Sequence, residues 1–297
     1  MSRRRRSRLS PPAARIALLP MSLTALVGYL GMTFWSLRVS LSSSRTFPVD
    51  DFVGLAQYAR LFANDRWLLS LGNLALYGVL FTAVCLLLGF LLAALIDRQV
   101  RVEAALRTAF LYPYAMSFIA TGVVWQWLLN PANGIQEVVR RLGFPSFQFD
   151  WIVDPDRVLY TIVIATVWQS AGFVMVIVLA GLRGIEPDIW RAARLEGIPT
   201  WRVHVSIVLP MLWHSIATAA ILLLAAVVKL YDAVVAMTQG GPGTASEVPA
   251  KFIMDHLFGR ANIALASAGS IVLLLTVLAL MAPVVYLRSR VARVGAR

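Results

Sequence analysis

Six residues that can bind a polar ligand lie inside otherwise apolar runs of the sequence. Lys229 and Asp232 are three residues apart and so share one helix face; charges in an apolar run are costly unless they pair or face a wet cavity, so we expect both to face inward. The other four combine aromatic rings with hydrogen-bonding groups: Trp168, Gln169, Ser170 and Phe173. Such rings stack on the apolar face of a sugar, and amide and hydroxyl groups bind its hydroxyls. The alternative is that Lys229 and Asp232 form a structural ion pair and the rings are packing.

Other reactive side chains lie where a structural role is the more common one. Asp154 and Asp156 look like a carboxylate pair, but they directly precede an apolar run, where helix capping is common. Cys85 is the only cysteine and lies inside an apolar run, which leaves no disulfide within the chain and no thiol metal site. The three histidines are not spaced as metal ligands: His204, His214 and His256. We therefore expect no catalytic site and no metal site.

Composition indicates which elements must position these residues. Of the 297 residues, 59% are hydrophobic and only 14% are charged, which is too apolar for a soluble domain of this length. We predict an all-α membrane protein, because six runs reach the roughly 20 residues that cross a bilayer. The runs are 16–37, 68–96, 106–129, 158–182, 212–236 and 263–287. Pro113 is expected to kink the third run. Small residues in the second and fourth runs predict close helix packing: Gly78, Gly89, Ala93, Gly172, Ala180 and Gly181.

The distribution of positive charge predicts the orientation in the membrane. The net charge is +12, but no basic face interleaved with aromatic residues is found, so nucleic acid is not an expected partner. Seventeen of the 27 Lys and Arg residues lie in alternate segments that include both termini, against nine in the other segments. By the positive-inside rule, residues 1–15, 183–211 and 288–297 are cytoplasmic. The arginine-rich start is also typical of export signals, but the run after it has about 22 residues and no convincing cleavage site, so we interpret it as a retained span.

One polar stretch, residues 182–212, interrupts the apolar runs. Its first helix begins at Glu186-Pro187-Asp188, and its apolar residues follow helical spacing. Gly197 and Pro199 stop this helix, and a second helical period continues to Leu209-Pro210. The stretch therefore predicts a helix, a sharp turn and a second helix that present one narrow ridge to a partner.

Several residues of this stretch have fixed spacings: Ala192-Ala193, then Gly197, then nine residues, then Ile207, Leu209 and Pro210. This pattern resembles the EAA motif of permease subunits of binding-protein-dependent ABC importers, in which the motif is a cytoplasmic coupling helix that docks on the ATPase. The alternative is an ordinary amphipathic loop. The resemblance implies these coupling residues: Arg191, Ala192, Ala193, Glu196, Gly197, Ile207, Leu209 and Pro210. Arg191 stands where the motif has Glu, which reverses the charge, and Asp188 on the same helix face can pair with it.

Two further patterns extend the resemblance to sugar importers. The turn-forming run Thr238-Gln239-Gly240-Gly241-Pro242 is similar to the TxGGP stretch of sugar-importer permeases. With Trp151-Ile152-Val153-Asp154-Pro155, it looks closest to the glucose/mannose and α-glucoside branch of the maltose-type family. The resemblance implies a type I ABC importer transmembrane domain of six helices, residues 16–287, in a bacterial plasma (inner) membrane. It also implies that the two spans flanking the coupling loop line the substrate cavity.

The chain has no nucleotide-binding motif of its own. A P-loop needs Lys followed by Ser or Thr, but the two lysines, Lys229 and Lys251, precede Leu and Phe. The resemblance therefore implies that a separate ATPase dimer binds ATP and Mg, that this chain carries no cofactor, and that it is not an enzyme. It also implies three further partners, which are an extracytoplasmic sugar-binding protein, a second permease subunit and membrane lipid. The alternative function is a stand-alone secondary sugar carrier or facilitator, although no internal repeat is found. The exact sugar, the type of cell envelope and the identity of the second permease stay open.

Overall fold

The computed structural model describes residues 11–97 and 102–294. Predicted features of residues 1–10, 98–101 and 295–297, which are the arginine-rich start, part of one basic loop and the end of the tail, lie outside the described residues. The described residues are mostly helical, and their only β-pairing is an isolated bridge between Ser42 and Phe52, which confirms the predicted all-α class. They form two compact units, residues 11–63 with 253–274 and residues 64–252 with 275–294.

The first unit begins with a long helical run. Its elements are α1 (Pro11–Thr24), a π-helical segment (Ala25–Gly31), α2 (Met32–Ser40) and α3 (Ala56–Phe62). Residues Leu18–Ser40 are long and apolar enough to cross a membrane, and they overlap the predicted span 16–37. The amide of Ile263 donates a hydrogen bond to the carbonyl of Arg45, which ties the start of the last helix to the loop after α2.

The second unit contains the two most apolar long helices. Its first elements are α4 (Asp65–Ile96), α5 (Glu103–Leu111), a 3-10 segment (Tyr112–Ala115), α6 (Phe118–Leu128), α7 (Ile135–Arg141) and α8 (Val158–Leu182). Helices α4 and α8 are each long and apolar enough to span a membrane, and they coincide closely with the predicted runs 68–96 and 158–182. Asn64 starts α4 because its side-chain oxygen accepts hydrogen bonds from the amides of Arg66 and Trp67.

The predicted run 106–129 is not one straight helix, because the chain bends by 99° between α5 with its 3-10 extension and α6. Pro113 has no amide hydrogen to donate, so the helix cannot continue through it unchanged. Ser117 then has an extended backbone, and its hydroxyl accepts the amide of Ala120 at 3.1 Å, which begins a new helix. The predicted kink is therefore present as a complete break.

The remaining elements are α9 (Pro187–Leu195), α10 (Thr200–Val203), a second π-helical segment (His204–Val208), α11 (Leu209–Met211), α12 (Trp213–Val228), α13 (Tyr231–Thr238), α14 (Pro249–Met254), a third π-helical segment (Asp255–Gly259) and α15 (Ile263–Val294). The predicted run 212–236 is also broken, since α12 ends before Lys229 and a new helix starts at Tyr231.

By length and composition, the described residues contain three spanning helices, or five if each bent pair is one span; residues Ile263–Ala279 are a shorter apolar helix. Six spans therefore stay a prediction.

Helices α4 and α8 pack closely along their lengths. The buried face of α4 repeats every three to four residues and includes Tyr77, Phe81 and Cys85. The hydroxyl groups of Tyr77 and Thr166 are hydrogen bonded across the two helices at 3.0 Å. At Gly89 the two backbones approach so closely that a Cβ would collide with Val174 of α8. This is the close approach that the small residues predicted.

The loop that follows α13 is held to the start of α4 by buried polar contacts. Arg66 makes a bidentate ion pair with Glu247, with nitrogen–oxygen distances of 2.8 and 2.5 Å, and only 2% of the Glu247 side chain is exposed. The side-chain amide of Asn73 donates to the carbonyls of Ala245 and Glu247, each at 2.9 Å. Since a bidentate Arg–carboxylate pair fixes geometry as well as charge, the loop is rigidly placed.

The α5–α8 contact gives a test of this packing. A Cβ on Gly172 would collide with the carbonyl oxygen of Phe110, a backbone atom that cannot move aside cheaply, whereas a Cβ on Gly72 would meet nothing within 4 Å. We expect Gly172→Ala to destabilise the purified protein by about 1–3 kcal/mol through overpacking. Gly72→Ala, the matched control, should leave stability equal or higher, because alanine favours the helix. Melting temperatures in detergent measure both, and an unchanged melting temperature for Gly172→Ala would contradict the packing described here.

Candidate functional site

The second unit contains a cavity of about 370 Å³ between the 3-10 segment, the start of α6, α8 and α12. Most of its wall is apolar, with a few polar groups among the rings. The lining residues are Tyr114, Met116, Phe118, Gln169, Ser170, Phe173, Leu222, Leu223, Ala225, Ala226 and Lys229. A mostly apolar wall with a few placed polar groups is typical of small-molecule sites.

Two helix breaks meet at this cavity. Met116 has an extended backbone between the 3-10 segment and α6, and Lys229 caps the C-terminal end of α12 just before α13. Helix ends leave backbone carbonyl and amide groups without intrahelical partners. Interrupted helices at membrane depth are tolerated where they line a cavity, and in transporters such breaks often form the substrate site.

Gln169 is the central polar group of the cavity wall. Its side chain is 1% exposed, and its Nε2 donates to the carbonyl of Met116 at 2.7 Å, which satisfies one orphan group of the break before α6. Its Oε1 atom is buried and has no hydrogen-bond partner among the described residues. A buried acceptor without a partner is costly, so a ligand hydroxyl that reaches Oε1 when the surrounding side chains move apart can recover that cost by donating to it.

A stacked aromatic pair forms a second part of the wall. The rings of Tyr114 and Phe173 lie 4.4 Å apart at an interplanar angle of 5°. Tyr114 remains 44% exposed, so part of its surface is open to a ligand. Tyr114 is not among the ligand-binding residues predicted from the sequence; its position next to Pro113, where a helix must break, was the available signal.

The structure brings together four of the six predicted ligand-binding residues: Gln169, Ser170, Phe173 and Lys229. Trp168 does not line the cavity, because it lies on another face of α8, where its ring meets Trp125 edge-on at 5.9 Å. Asp232 does not line it either. Both stay predictions as ligand contacts.

The expected shared face of Lys229 and Asp232 does not hold, because the helix breaks between them at Leu230. The described residues contain no ion pair between them, so the alternative of a structural Lys229–Asp232 pair is not seen. Lys229 instead caps the C-terminal end of α12, where free carbonyls and the helix dipole favour a cation. Its exposed ammonium group can therefore donate to a ligand in the cavity.

The polar stretch forms a separate surface with a well-defined turn. Gly197 has a φ of +65°, its amide donates to the carbonyl of Arg194 at 3.2 Å, and the amide of Ile198 donates to Ala193 at 3.1 Å. This pair of bonds is a Schellman motif, which ends α9 and reverses the chain. The glycine conformation that such a sharp turn requires is thus present.

Side chains on both sides of this turn form a largely exposed ridge, residues 187–211. Arg191 pairs with Asp188 at 2.7 Å, as the helical spacing predicted, and both side chains are largely exposed. Leu195 and Trp201, which flank the turn, are 89% and 66% exposed. Of the other predicted coupling residues, Ala192, Glu196 and Pro210 are exposed, Leu209 is just exposed, Ile207 is half-buried, and Ala193 is buried. Exposed large apolar side chains next to a charged ridge are typical of a protein contact.

Comparison with known families decides the classification. Residues 85–293 match the family described as "Binding-protein-dependent transport system inner membrane component". The chain belongs to this family. This chain is also 35% identical over 254 residues to a protein of Pyrococcus horikoshii named "Probable ABC transporter permease protein PH1215". The match covers 85% of this chain and 87% of the relative.

Two further relatives carry sugar names. A protein of Thermococcus litoralis, "Trehalose/maltose transport system permease protein MalF", is 30% identical, and the match covers 86% of this chain. "Xylose/arabinose import permease protein XacH" of Haloferax volcanii is 29% identical and covers 90%. These relatives support the resemblance to carbohydrate importer permeases.

One solved structure has the same fold. It is titled "Crystal structure of a bacterial ABC transporter involved in the import of the acidic polysaccharide alginate". The match has a TM-score of 0.80 and 18% sequence identity, and it covers 93% of this chain and 95% of the chain in the solved structure. The transmembrane architecture of an ABC importer, expected from the sequence, is thereby confirmed.

The turn at Gly197 gives a second test. We expect Gly197→Val to destabilise the end of α9 by about 1–2 kcal/mol, because an L residue is strained at positive φ. Limited trypsin digestion should then cut at Arg194 and Arg202 about five- to thirtyfold faster. Gly197→Asn is the matched control, since asparagine adopts the left-handed conformation more readily and a Cβ there meets nothing within 4 Å. Equal cleavage rates for the two variants would contradict the role of this turn.

Proposed function

We propose that this chain is the membrane-spanning permease of an ATP-driven sugar importer and that the cavity beside Gln169 is its half of the translocation pathway. The observation that best supports the proposal is the meeting of two helix breaks at a cavity that also holds a stacked ring pair, an unpaired amide oxygen and a lysine. The rings suit the apolar face of a pyranose, and Gln169, Ser170 and Lys229 supply acceptors and donors for hydroxyls.

The substrate class that the sequence favours is glucose, mannose or an α-glucoside. The support is the similarity of the segments at 151–155 and 238–242 to that branch of the sugar permeases. The cavity has about 370 Å³ on this chain, which is within the range of small-molecule sites and large enough for a hexose.

The partners in the proposal are an ATPase dimer, a second permease subunit and an extracytoplasmic sugar-binding protein. ATP and Mg belong to the ATPase, and this chain is a non-catalytic transport subunit. One solved neighbour of the same fold is titled as an alginate ABC transporter "in complex with alginate pentasaccharide-bound periplasmic protein", which supports a docked binding protein. The exposed ridge of residues 187–211 would dock on the ATPase, with the chain in a bacterial inner membrane and both termini cytoplasmic.

The mechanism in the proposal is alternating access. Closure of the ATPase dimer on ATP moves the two coupling ridges together, which opens the cavity toward the binding protein, and hydrolysis resets it. Arg191 is free to take part in ATPase docking, because an exposed pair such as Asp188–Arg191 contributes little stability and can exchange partners.

Co-purification and transport test this function. We expect the tagged chain, purified from native membranes, to bring down an ATPase and a second permease, and the complex in liposomes to import radiolabelled glucose, mannose or maltose only with the binding protein and ATP. A non-hydrolysable ATP analogue should give no import. Import without an ATPase would instead indicate a stand-alone carrier.

The cavity residues give a third prediction. Gln169→Ala and Lys229→Met should each raise the sugar concentration for half-maximal import about two- to tenfold, as expected for the loss of one hydrogen bond. Assembly and basal ATP hydrolysis should not change in Lys229→Met; Gln169→Ala also removes the hydrogen bond to the Met116 carbonyl, so its import is compared at equal amounts of assembled complex. Ile164→Ala is the matched control, since Ile164 is on the same helix but lines a different groove. Undiminished import in both cavity variants would remove these residues from the site.

A further inference from the structure

A line of three rings joins the polar stretch to α4. Trp190 of α9 and His204 lie 5.5 Å apart between ring centroids, and His204 meets Phe90 of α4 edge-on at 6.4 Å. Both separations are in the range in which aromatic rings attract one another. Trp190 does not stack on Phe90 directly; His204, which follows α10, lies between them and contacts both rings.

The ring of His204 is held by a hydrogen bond to the preceding helical turn. It is half-buried, and its Nδ1 lies 2.8 Å from the carbonyl of Thr200, which can only accept, so Nδ1 carries the proton. His204 is also the first residue of the π-helical segment that interrupts the second helix of the stretch. Such segments change the direction of side chains and frequently occur at functional sites.

The ring line ends at Phe90, one residue from the point where α4 contacts α8. Phe90 is adjacent to Gly89, whose backbone lies directly against Val174 of α8. Val174 follows Phe173, which stacks on Tyr114 in the cavity wall. Because α4 and α8 are closely packed at Gly89, a displacement of the α4 backbone there must shift α8 or open a gap beside it. Consecutive helix residues face different sides, so the polar stretch is connected to the helix that carries Phe173 through the α4 backbone and the α4–α8 contact.

We propose that Trp190, His204 and Phe90 form a relay that carries movement of the coupling helix α9 to α4 and α8, with His204 as its positioning residue. The inference rests on the proposed function and deepens it, since it assigns how the docking ridge controls the cavity. In this proposal the contacts of the His204 ring with Trp190 and Phe90 transmit the movement, so a charge on His204 is not required. A purely structural role for the ring would reduce the amount of assembled complex, whereas a relay sets the amount of sugar moved for each ATP hydrolysed.

The experiment measures that ratio in liposomes that contain the purified complex, the binding protein and ATP. The probe is radiolabelled glucose, or maltose if the wild-type complex does not import glucose. We expect His204→Ala to lower the sugar imported per ATP about fivefold or more, in the range of typical coupling between sites, while the complex still co-purifies. His204→Phe keeps a ring and should retain at least half of the wild-type ratio. His214→Ala is the matched control, since this exposed histidine makes no ring contact among the described residues and should behave as wild type.

A double mutant tests whether the rings act in series. If they do, Phe90→Ala combined with His204→Ala should be no worse than either variant alone, because each already breaks the line. Additive losses, an unchanged ratio in His204→Ala, or failure of both His204 variants to co-purify would each overturn the relay. The last outcome would assign the ring to assembly. Absence of ATP-driven import by the wild-type complex would overturn the proposed function itself and the relay with it, and is distinguished by the wild-type sample alone.

Discussion

The close approach of α4 and α8 is the constraint on which the other features of the second unit depend. In lipid there is no hydrophobic force that drives helices together, so association relies on packing and on small residues that let backbones meet. Gly89 supplies this contact against Val174, and Gly172 supplies a comparable contact between α8 and the Phe110 carbonyl. Because both glycines lie near the level of Phe173, the cavity wall is held from two sides.

The cavity forms where two helical runs are interrupted beside α8, one at Met116 and the other at Lys229. A continuous helix through residues 106–129 would carry no free backbone groups, and neither would one through 212–236. The breaks at Met116 and Lys229 expose such groups, which is costly in an apolar environment. Gln169 offsets part of this cost by donating to the Met116 carbonyl, but its own Oε1 is left without a partner in the described residues. The Oε1 atom of Gln169 therefore remains an unsatisfied acceptor, to which a ligand hydroxyl can donate once the side chains around it move apart.

The sequence predicted the long continuous helices well, and of the two broken runs it predicted only the interruption at Pro113. Residues 158–182 were predicted and found as one helix, because a long apolar run between a turn and a polar stretch admits few other structures. The turn at Gly197 was predicted equally well, since a glycine directly after a helical segment is the usual signal of a Schellman motif. Hydropathy averages over a window, so it cannot show that a run such as 212–236 contains an interruption at Lys229.

The candidate site could be predicted in composition but not in geometry. Trp168 and Gln169 are neighbours in sequence, yet consecutive residues on a helix point about 100° apart, and only packing decides which faces the cavity. Gln169 lines it, whereas Trp168 meets Trp125 elsewhere. Tyr114 enters the site only because the chain breaks after it, a consequence of tertiary structure rather than of local pattern.

The two loops that bear on α4 are held by forces of different strength. The loop after α13 is fixed by the buried Arg66–Glu247 pair and by two hydrogen bonds from Asn73, and removing one partner of such a pair typically costs about 3–5 kcal/mol. Helix α9 is held by ring contacts, each of which contributes about 0.5–1.5 kcal/mol beyond the area it buries. The two ring contacts therefore hold α9 to α4 less firmly than the ion pair and the amide hydrogen bonds hold the loop after α13. A docking ridge must be able to move while the segments around the cavity keep their register, and this difference in attachment strength allows both within one helical unit.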